Sequence, residues 1–200
     1  MSVELLAAKQ PKVKVHKQMI VCIGMSVLAL ILIYAQRSSI GTIISAGQPM
    51  YVQFGFGLAV GAAAALAALI GYKLQASKAH TKSVVSCYSR LDLSGWNPVW
   101  ISLTAGFGEE LLFRGALQPL LGILFASLVF MIAHMPAYQV KSFTLTTLIQ
   151  AAGVFATSIF LGLVFEYVGL VAAMLVHALI DIVGLYTIRR AARGVSAVAG

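Results

Sequence analysis

The chain carries only six acidic residues in 200, and two of them stand side by side in an apolar run. Glu109 and Glu110 are followed by Arg114 in the stretch GFGEELLFRG, Gly106 to Gly115. Further on, His134 closes the apolar segment FMIAH, and His177 and Asp181 stand four residues apart in HALID. Carboxylates and imidazoles take protons from water and hold it for attack. A carboxylate withdrawn from bulk water is a stronger base near neutral pH. Glu109 can serve as that base, with His134 beside it to hold the water. His177 and Asp181 can bind a developing oxyanion or anchor the substrate carbonyl. The chemistry that suits this set is hydrolysis, of a peptide bond before other substrates. No GxSxG, HExxH, P-loop or dinucleotide-binding pattern competes with it.

The helical period divides the labour among these groups. Residues i and i+4 are neighbours on a helix, so Glu110 pairs with Arg114 and His177 shares a face with Asp181. Glu109 and Arg114 lie about 140° apart around a helix of 3.6 residues per turn. One glutamate is therefore neutralised by the arginine, and Glu109 is free to work while Glu110 and Arg114 brace the site. A charge at mid-membrane costs roughly 2.5–3.5 kcal/mol on insertion scales. Left unpaired, Glu109, Glu110, Arg114 and Asp181 would together cost on the order of 10 kcal/mol, so they must face one another or a water-filled cavity. Phe113 and Phe130 read as core packing, Gly106 and Gly108 as places of close helix contact, and Glu166 as a solvated residue at an outer turn. His16 and His80 fall in polar segments and read as incidental.

The elements that position these groups follow from composition. Hydrophobic residues make up 60% of the chain and charged ones 10%, with mean hydropathy +0.93. Soluble domains carry about 25% charged residues, and this chain cannot hide so much apolar surface in its own core. The expectation is an all-α, polytopic membrane helix bundle in which residues 1–200 form a single integral membrane domain. Six spans are expected: Gln18–Ala35, Tyr51–Tyr72, Pro98–Leu120, Ile123–Ala137, Thr144–Phe165 and Val168–Thr187. Asn97-Pro98 reads as an N-cap followed by proline at the first helical position. Pro119 and Gly122 read as the break before the short fourth span. Glu110 and His134 each lie 12 residues from Gly122, about 18 Å in from that turn. His177 and Asp181 lie about 15 and 21 Å in from the turn near Tyr167. Three helices thus bring polar groups to one layer.

Charge sets the orientation. The net charge of +8 marks cytoplasmic loops of a membrane protein, not a nucleic-acid partner. Lysines precede the first span, Lys73, Lys78, Lys82 and Arg90 lie in a basic cytoplasmic loop over residues 73–95, Lys141 follows the fourth span, and Arg189, Arg190 and Arg193 follow the sixth. Only Arg37 clearly lies on the other side, so both termini are expected in the cytoplasm. Trp96 and Trp100 are expected at the cytoplasmic interface. The first span reads as retained, because no clear small-x-small cleavage site follows it. Cys22 and Cys87 share neither depth nor a metal-ligand spacing, so no structural disulfide is expected. Gly57 and Gly61 have the GxxxG spacing of close helix packing, read as an internal face before a dimer seam.

Three motifs in order, EExxxR at Glu109–Arg114, FxxxH at Phe130–His134 and HxxxD at His177–Asp181, resemble those of the CPBP intramembrane proteases, the CAAX protease and bacteriocin-processing family. The resemblance covers residues 96–187, the motif-bearing core; the first two spans match only as generic membrane helices. It implies an all-helical intramembrane endopeptidase of the multi-pass kind, in a bacterial plasma membrane. Glu109 and His134 would activate water, and His177 and Asp181 would complete the site. Some members carry Asn at the last place. An ionised Asp accepts hydrogen bonds but cannot donate one to an oxyanion, so Asp181 is suited to orient His177 or to favour a metal. A metal-free glutamate mechanism and Zn²⁺ held by Glu109, His134, His177 and Asp181 are both permitted. The implied partners are membrane lipid and a peptide or protein substrate, lipidated or not: prenylated CAAX peptides, bacteriocin leaders or other membrane peptides. The competing expectation is a non-proteolytic immunity or scaffold factor, or a proton-coupled transporter using the same carboxylates. A transporter should show a broken helix or an inverted repeat, and neither is evident in the sequence.

Overall fold

A computed structural model describes residues 12–75, 88, 91–135 and 144–198, without the side chains of 192–198. Lys78, His80, Lys82, Cys87, Arg90 and Lys141 lie outside the described residues, as does most of the expected loop over 73–95. The described elements are helical: α1 Val15–Ala35, α2 Ile40–Ser45, α3 Met50–Gln75, α4 Asn97–Glu110, a π-helical segment Leu111–Leu117, α5 Gln118–His134, α6 Leu145–Tyr167 and α7 Leu170–Val198. Five stretches are long and apolar enough to cross a membrane, and large hydrophobic side chains such as Ile23, Leu58, Leu124, Phe125 and Leu148 point outward along them. The protein is an integral, multi-pass membrane helix bundle.

The third and fourth expected spans form one helical stretch, Asn97–His134, with a reversal inside it. Gly122 has φ 74° and ψ 169°, a conformation open essentially to glycine alone. The rings of Phe113 and Phe130 on either side of it are 4.9 Å apart. Seventeen residues of unbroken helix would separate them by about 25 Å. The stretch is therefore a hairpin, and its return limb from Gly122 to His134 is about 18 Å long. That is less than the roughly 30 Å hydrocarbon thickness of a bilayer, so His134 ends inside the membrane layer. Pro119 does not break the chain. It lies in the first turn of α5, where a missing N–H is tolerated.

Asn97 is a second departure from expectation. It is the first helical residue and not the cap; its side chain donates to Ser94 Oγ at 3.3 Å, and Trp96 occupies the cap position. The six-residue α2 was not expected. Its cap is Ser39, whose hydroxyl accepts from the Thr42 N–H. Ile40, Ile43 and Ile44 pack it onto the cluster of Ile33, Leu111 and Ala116.

α7 is the hub, in contact with α3, α4 and α6. Gly57 and Gly61 of α3 meet it at backbone range: a Cβ on Gly57 would lie 2.9 Å from Leu175 Cβ, and one on Gly61 2.7 Å from Leu179 Cδ1. The GxxxG face is thus internal packing. At one end of the bundle Gln53 fixes the start of α7. Its Oε1 accepts from the Val171 N–H at 3.0 Å, and its Nε2 donates to the carbonyls of Ala46 and Gln48. Gly169, at φ 136°, leaves the space that the Gln53 amide occupies.

The bundle has two distinct ends. One gathers Gly122, Val168 and Gln48, whose N–H donates to the Val168 carbonyl. The other gathers Val13, Asp92 and Arg189: the Asp92 N–H donates to the Val13 carbonyl, and the Arg189 guanidinium to those of Leu93 and Gly95. Lys73 and Arg190 line a cavity at this same basic end. Trp96 and Trp100 are exposed there, 72% and 55%.

Candidate active site

α4 is wedged between α1 and α7, and this wedge builds the site. A Cβ on Gly108 would lie 2.7 Å from the Cys22 carbonyl oxygen of α1, and one on Gly106 2.9 Å from the Met174 carbonyl oxygen of α7. Only side chains as small as glycine let α4 sit this close on both sides. The next two residues, Glu109 and Glu110, therefore lie directly against α7. The hairpin at Gly122 brings His134 back to the same level.

Glu110 is the centre of a dry brace. Its Oε2 accepts from Arg114 Nε at 3.0 Å, and its Oε1 lies 2.7 Å from His177 Nδ1. Arg114 Nη2 donates to Ser158 Oγ of α6 at 2.9 Å, and the guanidinium lies 5.3 Å from the Phe130 ring centroid. Glu110, Arg114 and Ser158 are fully buried. The i,i+4 pair spans the start of the π-helical segment, where hydrogen bonds run i→i+5.

Glu109 faces the other way, as the helical period requires. Its Oε2 is 3.4 Å from His134 Nε2 and 4.0 Å from His177 Nε2. Asp181 Oδ2 is 3.6 Å from His177 Nε2. All six residues singled out in the sequence thus lie in one connected cluster. Exposure rises across it: Glu110 and Arg114 side chains are 0% exposed, His134 22% and Asp181 37%. The open edge is the one nearer the basic end, since Asp181 lies one helical turn beyond His177.

Hydrogen bonding fixes both imidazoles. His134 Nδ1 lies 2.8 Å from the Phe130 carbonyl oxygen; a carbonyl only accepts, so Nδ1 carries the proton. Glu110, paired with Arg114, likewise accepts a hydrogen bond from His177 Nδ1–H. In the neutral rings both Nε2 atoms then present lone pairs toward the Glu109 carboxylate. Four acceptors converge here, Glu109 Oε2, His134 Nε2, His177 Nε2 and Asp181 Oδ2, with no donor among them. Glu109 Oε2 is buried and, among the described residues, has no hydrogen-bond partner. Such a constellation calls for water, protons or a cation.

The donor set has the chemistry of a metal site: two imidazoles whose Nδ1–H groups are anchored to a carboxylate and a carbonyl. Its spacing does not fit one. Tetrahedral zinc with bonds of about 2.0–2.1 Å needs ligand atoms roughly 3.3 Å apart; the Glu109–His134 separation matches, but the 4.0 Å to His177 does not. Among the described residues no group of three or more His, Cys, Asp or Glu is placed to hold a metal ion.

Sequence reasoning missed several contributors. Ser158 accepts from one of the arginine's terminal nitrogens, and a lone serine in an apolar helix carries no signal for it. Gln118, also buried, donates to the Gly162 carbonyl at 3.0 Å and to Glu166 at 3.3 Å; Glu166 is exposed, as expected, but not without a partner. Phe130 does more than fill the core. Its ring stacks on His134 with centroids 4.1 Å apart, while its carbonyl sets that histidine's tautomer. The F and H of FxxxH were the available signal.

Residues 92–183 match the family model described as type II CAAX prenyl endopeptidase Rce1-like, and this stretch contains all six site residues. No curated protein and no solved structure matches the chain.

Proposed function

We propose that the chain, whose residues 92–183 match the type II CAAX prenyl endopeptidase Rce1-like family model, is a member of that family and hydrolyses a peptide bond with water activated between Glu109 and His134. The observation that carries this reading is the unpartnered Glu109 Oε2 facing the His134 Nε2 lone pair at 3.4 Å. Two acceptors cannot bond each other, but one water gives a hydrogen to each.

Glu109 takes a proton from this water as its oxygen attacks the scissile carbonyl carbon. The carbonyl π electrons move to oxygen, which becomes the oxyanion of a tetrahedral intermediate. Once His177 Nε2 has taken a proton from solvent at the open edge beside Asp181, the ring keeps Nδ1–H on Glu110 and donates Nε2–H to that oxyanion. Collapse re-forms the carbonyl and breaks the C–N bond. The proton held by Glu109 passes to the departing amine nitrogen. One water is consumed, and a carboxyl and an amine are released. Asp181, at the open edge, orients His177. Arg114 and Ser158 hold Glu110 in place beneath it.

The substrate is a membrane-associated peptide that enters from the basic end, where the site is exposed. A lipidated C-terminal peptide and an apolar leader both satisfy this. The protein acts in a bacterial plasma membrane with its basic end toward the cytoplasm. No step in this mechanism passes through a metal.

The test uses the full chain in lipid nanodiscs with two quenched-fluorescent peptides, one ending in a farnesylated CAAX sequence and one an apolar leader. Glu109→Gln should lower kcat/KM by about 10²–10⁴, the usual range for a general base, with helicity and Tm unchanged. The rate should survive 1,10-phenanthroline. Full activity in Glu109→Gln would sink the assignment. Loss on chelation that Zn²⁺ restores would replace it by metal-held water.

A further inference from the structure

Gln150 of α6 is 3% exposed, yet among the described residues neither its Nε2 nor its Oε1 has a hydrogen-bond partner. A buried amide left without partners is destabilising, so its place in the bundle calls for an explanation.

The helix register supplies that place. Arg114 bonds Ser158 and Gln118 bonds Gly162, both at a separation of 44 residues. The limb bearing Glu109 therefore runs parallel to α6. Gln150 lies eight residues before Ser158, about 12 Å toward the basic end, while Glu109 lies five before Arg114, about 8 Å in the same direction. The return limb agrees. Ile123 lies beside Gly162, His134 is about 16 Å along α5 from that contact, and Gln150 about 18 Å back along α6. Gln150, Val154, Ser158 and Gly162 recur at four-residue intervals on the inward stripe of α6. Gln150 thus stands on the inward stripe of α6 at the level of His134, just to the basic side of Glu109.

We propose that Gln150 is a substrate-binding residue whose amide pairs with a main-chain peptide group of the incoming segment. This rests on the proteolytic reading above. A glutamine offers one N–H donor and one carbonyl acceptor on a single plane, the complement of a peptide group's C=O and N–H. An extended substrate must present such groups beside its scissile bond. The unpartnered amide is matched by the unpartnered Glu109 Oε2 a few ångströms away in level along the bundle.

The experiment compares the full chain with Gln150→Leu and Gln150→Met in nanodiscs, using the two fluorescent peptides above. Binding is read by anisotropy in a Glu109→Gln background, and turnover in the active chain. Both substitutions should weaken binding and raise KM about tenfold, leave kcat within about threefold, and keep or raise Tm, because no internal hydrogen bond is lost. Unchanged binding would overturn the proposal and leave Gln150 bonded to water only. A fall in Tm with unchanged binding would mark a structural amide and overturn it equally. Failure of the active chain to cleave either peptide counts against the proteolytic reading, while the binding difference still decides Gln150. If neither peptide binds, the proposal falls.

Discussion

The arginine in EExxxR is fully buried against Glu110, and the pairing lets that carboxylate stay charged in a dry place. Arg114→Met should therefore be severe, costing about 3–5 kcal/mol, the usual penalty for stranding one member of a buried ion pair. The double variant Glu110→Gln/Arg114→Met removes both charges and should recover most of that loss in thermal unfolding. A double variant no more stable than the single one would contradict this account. Arg114→Lys should also be costly, since a point ammonium cannot serve Glu110 and Ser158 through separate fork nitrogens. The pairing of Glu110 with Arg114, and the outward turn of Glu109, were legible from helical spacing alone. Ser158 was not, because a contact 44 residues away follows no local period. The imidazole tautomers were equally hidden, being set by a backbone carbonyl and by a side chain on another helix.

At the level of elements, the decisive feature is the reversal at Gly122. It alone makes a short apolar segment deliver His134 to Glu109. Gly122→Val should cost about 1–3 kcal/mol, because the ε region of backbone space excludes a β-branched residue. Far-UV circular dichroism should change little while kcat falls, since the helices persist but the limb is re-aimed. Wild-type turnover in that variant would show that the turn does not set the geometry. Gly122 was readable as a break. The π-helical winding of Leu111–Leu117 was not, since its residues are ordinary helix formers. Asn97 misled because it has the chemistry of a cap but spends its side chain on Ser94. α2 escaped notice because six residues are too few to show a period.

For the molecule as a whole, the gathering of Lys73, Arg189 and Arg190 at one end agrees with the sidedness read from charge. Single-cysteine labelling checks it. In a Cys87→Ser background, Ser94→Cys should react with an impermeant maleimide only in inside-out vesicles, and Gln48→Cys only in intact cells. Cys22 is buried and should stay silent. The reverse pattern would invert the orientation and place the open edge of the site on the far side. Overall architecture was the most legible layer, since lipid as solvent leaves a helical bundle as the fitting solution for so apolar a chain. The order of helices around α7 was not, because it depends on backbone approaches at Gly57, Gly61, Gly106 and Gly108 that composition does not locate.

The convergence of lone pairs around Glu109 Oε2 bears on the choice of ligands for this site. A compound carrying a carboxylate or sulfonate head would arrive with the same polarity as these atoms and be repelled. An amidinium or primary ammonium head on a greasy tail brings hydrogens to every waiting atom at once. Medicinal chemistry against this scaffold therefore begins from cationic amphiphiles.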